Sequence, residues 1–195
     1  MTSPALAAWR SSRLVRLDRL LAVHPNSTGS ATDPAVAEEW THALILRLAS
    51  EFQGFCRDLH SDVSEAVALT LAASDEEVRL LILVGLTTDR ALNGRSADPQ
   101  TLANDFARFR ITLWPELEKR HPRAAPVWRE SLRLLHAARN GVVHDDLDKL
   151  ANVQAEGWGI DITSVLRWRN QLDETVTALH DVVIAEISES LRNIR

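Results

Sequence analysis

The chain has 195 residues, 45% hydrophobic and 25% charged, which fits one domain with a sizeable apolar core and excludes a disordered or fibrous composition. Cys56 is the single cysteine, so no intramolecular disulfide or Cys-based zinc cluster can form, and a reducing, cytoplasmic setting is expected. The formal net charge of −5 weighs against generalised nucleic-acid binding, and the longest apolar run, "LLILVGL" at 80–86, is far short of the ~18–20 residues that span a bilayer, so no membrane association is expected.

In chain order, residues 1–32 read as a basic N-terminal helix and loop. Arg10, Arg13, Arg16 and Arg19 stand against only Asp18 along a helix over about 3–22, and "HPNSTGS" ends it. An Arg-rich start of this kind also resembles an organellar presequence, with a surface helix of the fold as the preferred reading. Residues 33–192 read as a helical bundle. Asp33-Pro34 is an N-cap followed by proline at the first helical position, and the stripe Trp40, Leu44, Leu48, Phe52, Phe55, Leu59, Val63 steps by three or four. Asp62 and Glu65 stand at capping-box spacing, which leaves open a division into 34–60 and 63–72. Ser74 and Glu77 form a stronger capping box, opening a helix that runs to "LNGR" at 92–95.

Asp98-Pro99 opens the next helix, which Pro122 closes, and another covers about 124–140. After a loop rich in Asp, Asn and Gly, a final helix runs over about 162–192. No alternating strand pattern and no repeat interrupts this series. The predicted class is all-α, a bundle of about six helices forming a single domain over 1–195. Six Trp and four Phe recur at helical spacing beside Leu and Val, which points to core packing and not to a platform for stacking bases.

Charge is unevenly spread. Within 119–139, Lys119, Arg120, Arg123, Arg129, Arg133 and Arg139 stand against only Glu130, a basic strip on an acidic chain. Its end, "LLHAARNGVVHDD" at 134–146, carries an anomaly. With Arg139 at zero on a helical wheel, Trp128, Leu132, Leu135 and Val143 fall within about 40° of it, at the centre of the apolar stripe. A guanidinium there needs a core carboxylate, a partner chain or an anionic ligand, because uncompensated burial of a charge is costly. Asn140-Gly141 is expected to end the helix. His144, five residues on, would lie about 140° from Arg139 on an unbroken helix, so a bend at Gly141 or a second copy is needed to bring the two together.

"RNGVVH" resembles the motif of the HEPN superfamily, all-helical domains marked by an arginine, often followed by a polar residue, with a histidine after four to six intervening residues. Arg139, Asn140 and His144 match it, and a last long helix follows the motif as in that superfamily. "EFQGFCRDLH" at 51–60, "NDFARFRITLW" at 104–114 and "LRWRNQLD" at 166–173 also resemble uncharacterised bacterial relatives of this kind. The resemblance implies metal-independent RNA cleavage at a two-fold homodimer interface, without a cofactor. It is compatible with a toxin or a defence or stress effector held by an antitoxin or regulatory partner.

The residue types suit that chemistry on their own terms. Histidine moves a proton near neutral pH, and arginine presents a planar fork of donors to a phosphoryl group gaining negative charge. Arg139, Asn140 and His144 are the predicted catalytic residues, with 2′,3′-cyclic phosphate and 5′-hydroxyl ends as products. Arg129, Arg133 and His136 share a flank of the same helix at about 80°, 120° and 60°, and are the predicted substrate-binding residues. Two rivals stand beside this reading. One is a metal-dependent His-Asp phosphohydrolase built on His144-Asp145 with His121 and His136; no metal site is the preferred expectation. The other is a non-catalytic helical module that binds nucleotides or proteins.

Overall fold

A computed structural model describes residues 3–24 and 33–193. All regular structure among them is helical. Helices α1 (Pro4–Ala8) and α2 (Leu14–Ala22) run on through a π-helical turn at Trp9–Arg13. The predicted loop at 24–30 lies, beyond His24, outside the described residues. Then come α3 (Pro34–Leu71), α4 (Glu76–Thr87), α5 (Pro99–Phe106), α6 (Leu113–Arg120), α7 (Ala125–His144), α8 (Leu147–Ala155) and α9 (Ile162–Arg192). Short 3-10 turns at Ala91–Asn93 and Ala107–Phe109 link the middle helices.

The long helices α3 and α9 form the axis of the bundle and run parallel. Pro34, Glu38 and Thr41 share one groove with Ile160–Ile162, while Val67 and Leu71 share another with Ile187 and Leu191. α7 runs the opposite way: Trp168 Nε1 donates to the Ser131 carbonyl at 3.1 Å, and Trp128 Nε1 to Glu174 at 3.1 Å. From Leu44 on, the predicted apolar stripe of α3 is the core, with Leu44, Leu48, Phe52, Phe55, Leu59 and Val63 all buried, whereas Trp40 at its start is only half-buried. Trp9 and Trp168 are fully enclosed, as a packing role for the tryptophans requires.

The N-terminal helix belongs to the fold. Trp9 Nε1 donates to Asp173 at 2.9 Å, and the basic residues behind it converge on one acid. Glu51, almost fully buried, accepts from Arg13 at 2.8 Å and Arg16 at 2.9 Å, with Arg47 at 2.5 Å. Burial alone would raise the Glu51 carboxyl, but bonds from Arg16 and Arg13 and the charge of Arg47 hold it below its ordinary range.

Several predicted boundaries move, each for a local reason. α3 is continuous through 61–63, because Asp62 caps a different helix, accepting from the Ala5 amide at 2.8 Å, while Ser64 bonds back to the His60 carbonyl at 2.8 Å. The cap of α4 is Asp75, accepting from Val78 N at 3.0 Å, one residue past the predicted Ser74. The predicted helix from 99 to 122 is divided. Pro115 has no amide to offer a carbonyl four residues back, so the chain breaks at Arg110, in the left-handed region at φ 62°, and restarts as α6. α8 occupies part of the predicted 141–161 loop, capped by Asp146, which accepts from Lys149 N at 2.9 Å.

Candidate functional site

The expected helix end at Asn140-Gly141 does not occur. α7 continues to His144, and the left-handed residue that stops it is Asp145, at φ 51° and ψ 40°. The amide of Asp146 returns to the Gly141 carbonyl at 2.9 Å and turns the chain into α8. Gly141 is needed for a different reason from the one expected: Leu150 of α8 packs directly on its Cα.

With the helix unbroken, Arg139 and His144 stand about 7.5 Å apart along the axis and about 140° apart around it. Arg139 is half-buried at the point where the apolar stripe leaves the core: Leu135 and Ala138 are buried, whereas Val143, one turn beyond Arg139, is 46% exposed. Nη1 of Arg139 donates to Asn140 Oδ1 at 2.9 Å. Among the described residues no Asp or Glu forms an ion pair with it. His144 is exposed on the last turn.

Asn140 contacts Arg139 and shares a flank of α7 with His144. His136, Asn140 and His144 step by four along one flank of α7, and the Asn140 oxygen reaches round to Arg139. Arg129, Arg133, His136 and Asn140 therefore line one cleft of about 530 Å³, completed by Ser96, Asp98 and Gln100 at the start of α5 and by Glu118 of α6. Arg139 and His144 are not among its lining residues. The cleft joins the three predicted substrate-binding residues to Asn140 and leaves the other two motif residues outside its lining.

The electrostatics of that cleft were not legible in advance. Arg133 is held by Glu130 at 2.6 Å and also pairs with Glu156, and the Glu130 hydrogen bond raises its pKa further. Arg129 pairs loosely with Glu118 at 3.8 Å and lies 5.7 Å from the Trp114 ring centre. Glu118, Glu130 and Glu156 thus offset the two arginines. His136 is only 3% exposed, and both ring nitrogens are enclosed without completing a hydrogen bond. Burial pushes its pKa down to about 4, against the opposing pull of the Asp98 carboxylate and the Ala97 carbonyl, so the ring is neutral near pH 7. Contact between its nitrogens and a substrate would require the cleft to open.

Sequence reasoning missed Arg90, the arginine that is buried. It is 7% exposed and donates to Asn93 at 2.8 Å, the Arg57 carbonyl at 3.0 Å and Ser61 at 3.1 Å. Its site beside a 3-10 turn has no helical periodicity to betray it. Among the described residues no group of three or more His, Cys, Asp or Glu is placed to hold a metal ion, so His121, His136 and His144-Asp145 do not gather into one ligand set. No described helix is long and apolar enough to cross a membrane. Comparison of the chain with protein-family models, curated proteins and solved structures finds no match.

Proposed function

We propose that this protein is a metal-independent endoribonuclease of HEPN type, acting in the cytoplasm, with Arg139, Asn140 and His144 as its catalytic residues. One observation carries the reading: a half-buried guanidinium one turn before the end of α7 is oriented by a neutral amide and, among the described residues, has no ion-paired carboxylate, so its remaining donors suit a phosphate. The straight course of α7 through Gly141 removes the bend that would have brought His144 round to Arg139 within one copy. A second copy, packed on the apolar rim formed by Val143 and Leu147, supplies the missing histidine.

In that arrangement the ribose 2′-oxygen attacks phosphorus as His144 takes its proton. The phosphorus bond to the 5′-oxygen breaks, that oxygen takes a proton from water, and His144 gives up its own proton to solvent. Arg139 stabilises the charge gathering on the phosphoryl oxygens, and Asn140 keeps the guanidinium in place. Arg129 and Arg133 contact the RNA backbone by exchanging carboxylate partners for phosphates. An antitoxin or regulatory partner would act by covering the same rim.

The test is cleavage of single-stranded RNA in excess chelator, with 2′,3′-cyclic phosphate ends expected and Arg139→Ala and His144→Ala both inactive but folded. Cleavage retained in both variants sinks the assignment. A second reading, a non-catalytic helical module for nucleotides or proteins, draws support from the carboxylates that offset the arginines of the cleft. Binding of a nucleotide without any cleavage would favour it.

A further inference from the structure

Helix α4 breaks the usual rule for apolar helices. Its sequence, "EEVRLLILVGLT" over Glu76–Thr87, is apolar nearly all round, the pattern of a helix enclosed on every side, yet none of its residues is buried. Ile82, Leu83 and Leu86 face α3 and are half-buried. The opposite face presents Leu81, 71% exposed, with Val84, Leu80 and Val78 also open to solvent, and beside them Gly85 has no neighbouring atom within 4 Å of where a side chain would start. Soluble chains rarely leave so contiguous an apolar face uncovered unless something packs on it.

We propose that α4 is a self-association surface, on which a second copy of this chain lays its own α4 antiparallel across a two-fold axis. The charges at the two ends of the helix select this occupant. Its N-terminal end is acidic, with Glu76 and Glu77 exposed. Its C-terminal end carries Arg108, whose guanidinium donates to the Leu86, Thr88 and Asp89 carbonyls at 3.2, 2.6 and 2.9 Å, with Arg110 exposed nearby, two cations against the single exposed carboxylate of Asp89. An antiparallel pair sets each acidic end against the partner's basic end, and a parallel pair would set like against like. Glu77, Leu81, Val84 and Thr88 lie on one line of the wheel, so Leu81, near the midpoint, falls close to the axis and meets its own copy. Gly85, one turn on, leaves room for close approach.

The contact goes beyond the proposed ribonuclease site and is independent of it. α4 packs on the last turns of α3, at the end of the bundle where Val67 meets Ile187, whereas α7 runs antiparallel to α9 and carries Arg139 and His144 towards the other end. Pairing through α4 leaves the motif free. A helix of about 18 Å covers less than the ~800 Å² per partner of a standard interface, so the dimer should depend on concentration.

The experiment is sedimentation across a wide concentration range combined with disulfide trapping. Wild-type protein should gain one further association step with rising concentration, added to any pairing through the α7 rim, and Leu81→Glu, with unchanged helical content, should raise the dissociation constant of that step at least tenfold. Leu81→Cys should form a cross-linked dimer under mild oxidation, because the native Cys56 is buried, while Val127→Cys on the exposed side of α7 should not. No concentration-dependent association in the wild-type protein, association wholly indifferent to Leu81→Glu, or equal cross-linking of both cysteine variants would overturn the proposal. RNA cleavage by Leu81→Glu is read in parallel, so failure here is separate from failure of the ribonuclease reading.

Discussion

Leu150 of α8 closes on Gly141 of α7 so tightly that a Cβ added to Gly141 would stand 2.5 Å from Leu150 Cδ2. Gly141→Ala should therefore destabilise the fold although alanine is the better helix former. Overpacking costs roughly 1–3 kcal/mol, against a propensity gain of about 1 kcal/mol. Urea unfolding should give a net loss of about 1 kcal/mol, recovered by Leu150→Ala in the double variant. A stabilised Gly141→Ala would show that α8 does not pack there.

If the ribonuclease site is shared between copies, Arg139→Ala and His144→Ala should complement each other. Each is inactive alone, but a mixed dimer holds one site with both native residues. Equal mixing should restore about a quarter of wild-type cleavage, since half the dimers are mixed and each carries one of two sites. No recovery on mixing, with subunit exchange verified, would place both residues of a site in one chain.

Acid should weaken the fold through two buried histidines. Burial lowers the His136 and His60 rings to about 4 each, with Arg90 adding to the effect at His60. Both folded values lie below the ordinary value of about 6.5, so the unfolded chain takes up these protons first as pH falls. Stability contributed by the neutral rings is complete above about pH 6.5 and is lost progressively towards pH 4. His136→Phe should lower the slope of unfolding free energy against pH in that window by about one proton's worth. An unchanged slope would mean that His136 titrates normally.

Glu51 gathers Arg13, Arg16 and Arg47 at the junction of α2 and α3. Glu51→Gln should cost about 3 kcal/mol, the lower end for removing one partner of a buried ion pair, because Arg16 and Arg47 are substantially exposed. The loss should appear in thermal melts at neutral pH and fade in acid. With its folded pKa depressed, Glu51 stabilises above the ordinary carboxyl range and ceases to do so as pH falls through its folded value. A loss that persists at low pH would indicate packing in place of charge.

Much of the helical layout was legible from residues alone. Asp33-Pro34 and Asp98-Pro99 do cap α3 and α5, with Asp98 accepting from Gln100 and Thr101 at 2.9 Å, and the stripe from Leu44 to Val63 is buried. Local rules succeed there because capping and amphipathic periodicity act within one or two turns. They fail where a distant partner decides. Asp62 reads as a local cap but serves Ala5, fifty-seven residues away, and Asn140-Gly141 reads as a terminus until Leu150 folds back upon it.

The candidate site divides the same way. The sequence by itself determined an all-helical chain, a basic strip ending in Arg139, Asn140 and His144, and the angular spacing between them, because these follow from residue type and the fixed pitch of a helix. Only the tertiary structure decided that α7 runs straight through Gly141, that Glu118, Glu130 and Glu156 come from different parts of the chain to meet Arg129 and Arg133, and that among the described residues Arg139 has no ion-paired acid. Charge pairing depends on which helices lie side by side. That is settled by the packing of apolar faces across the bundle and not by any neighbour in the chain.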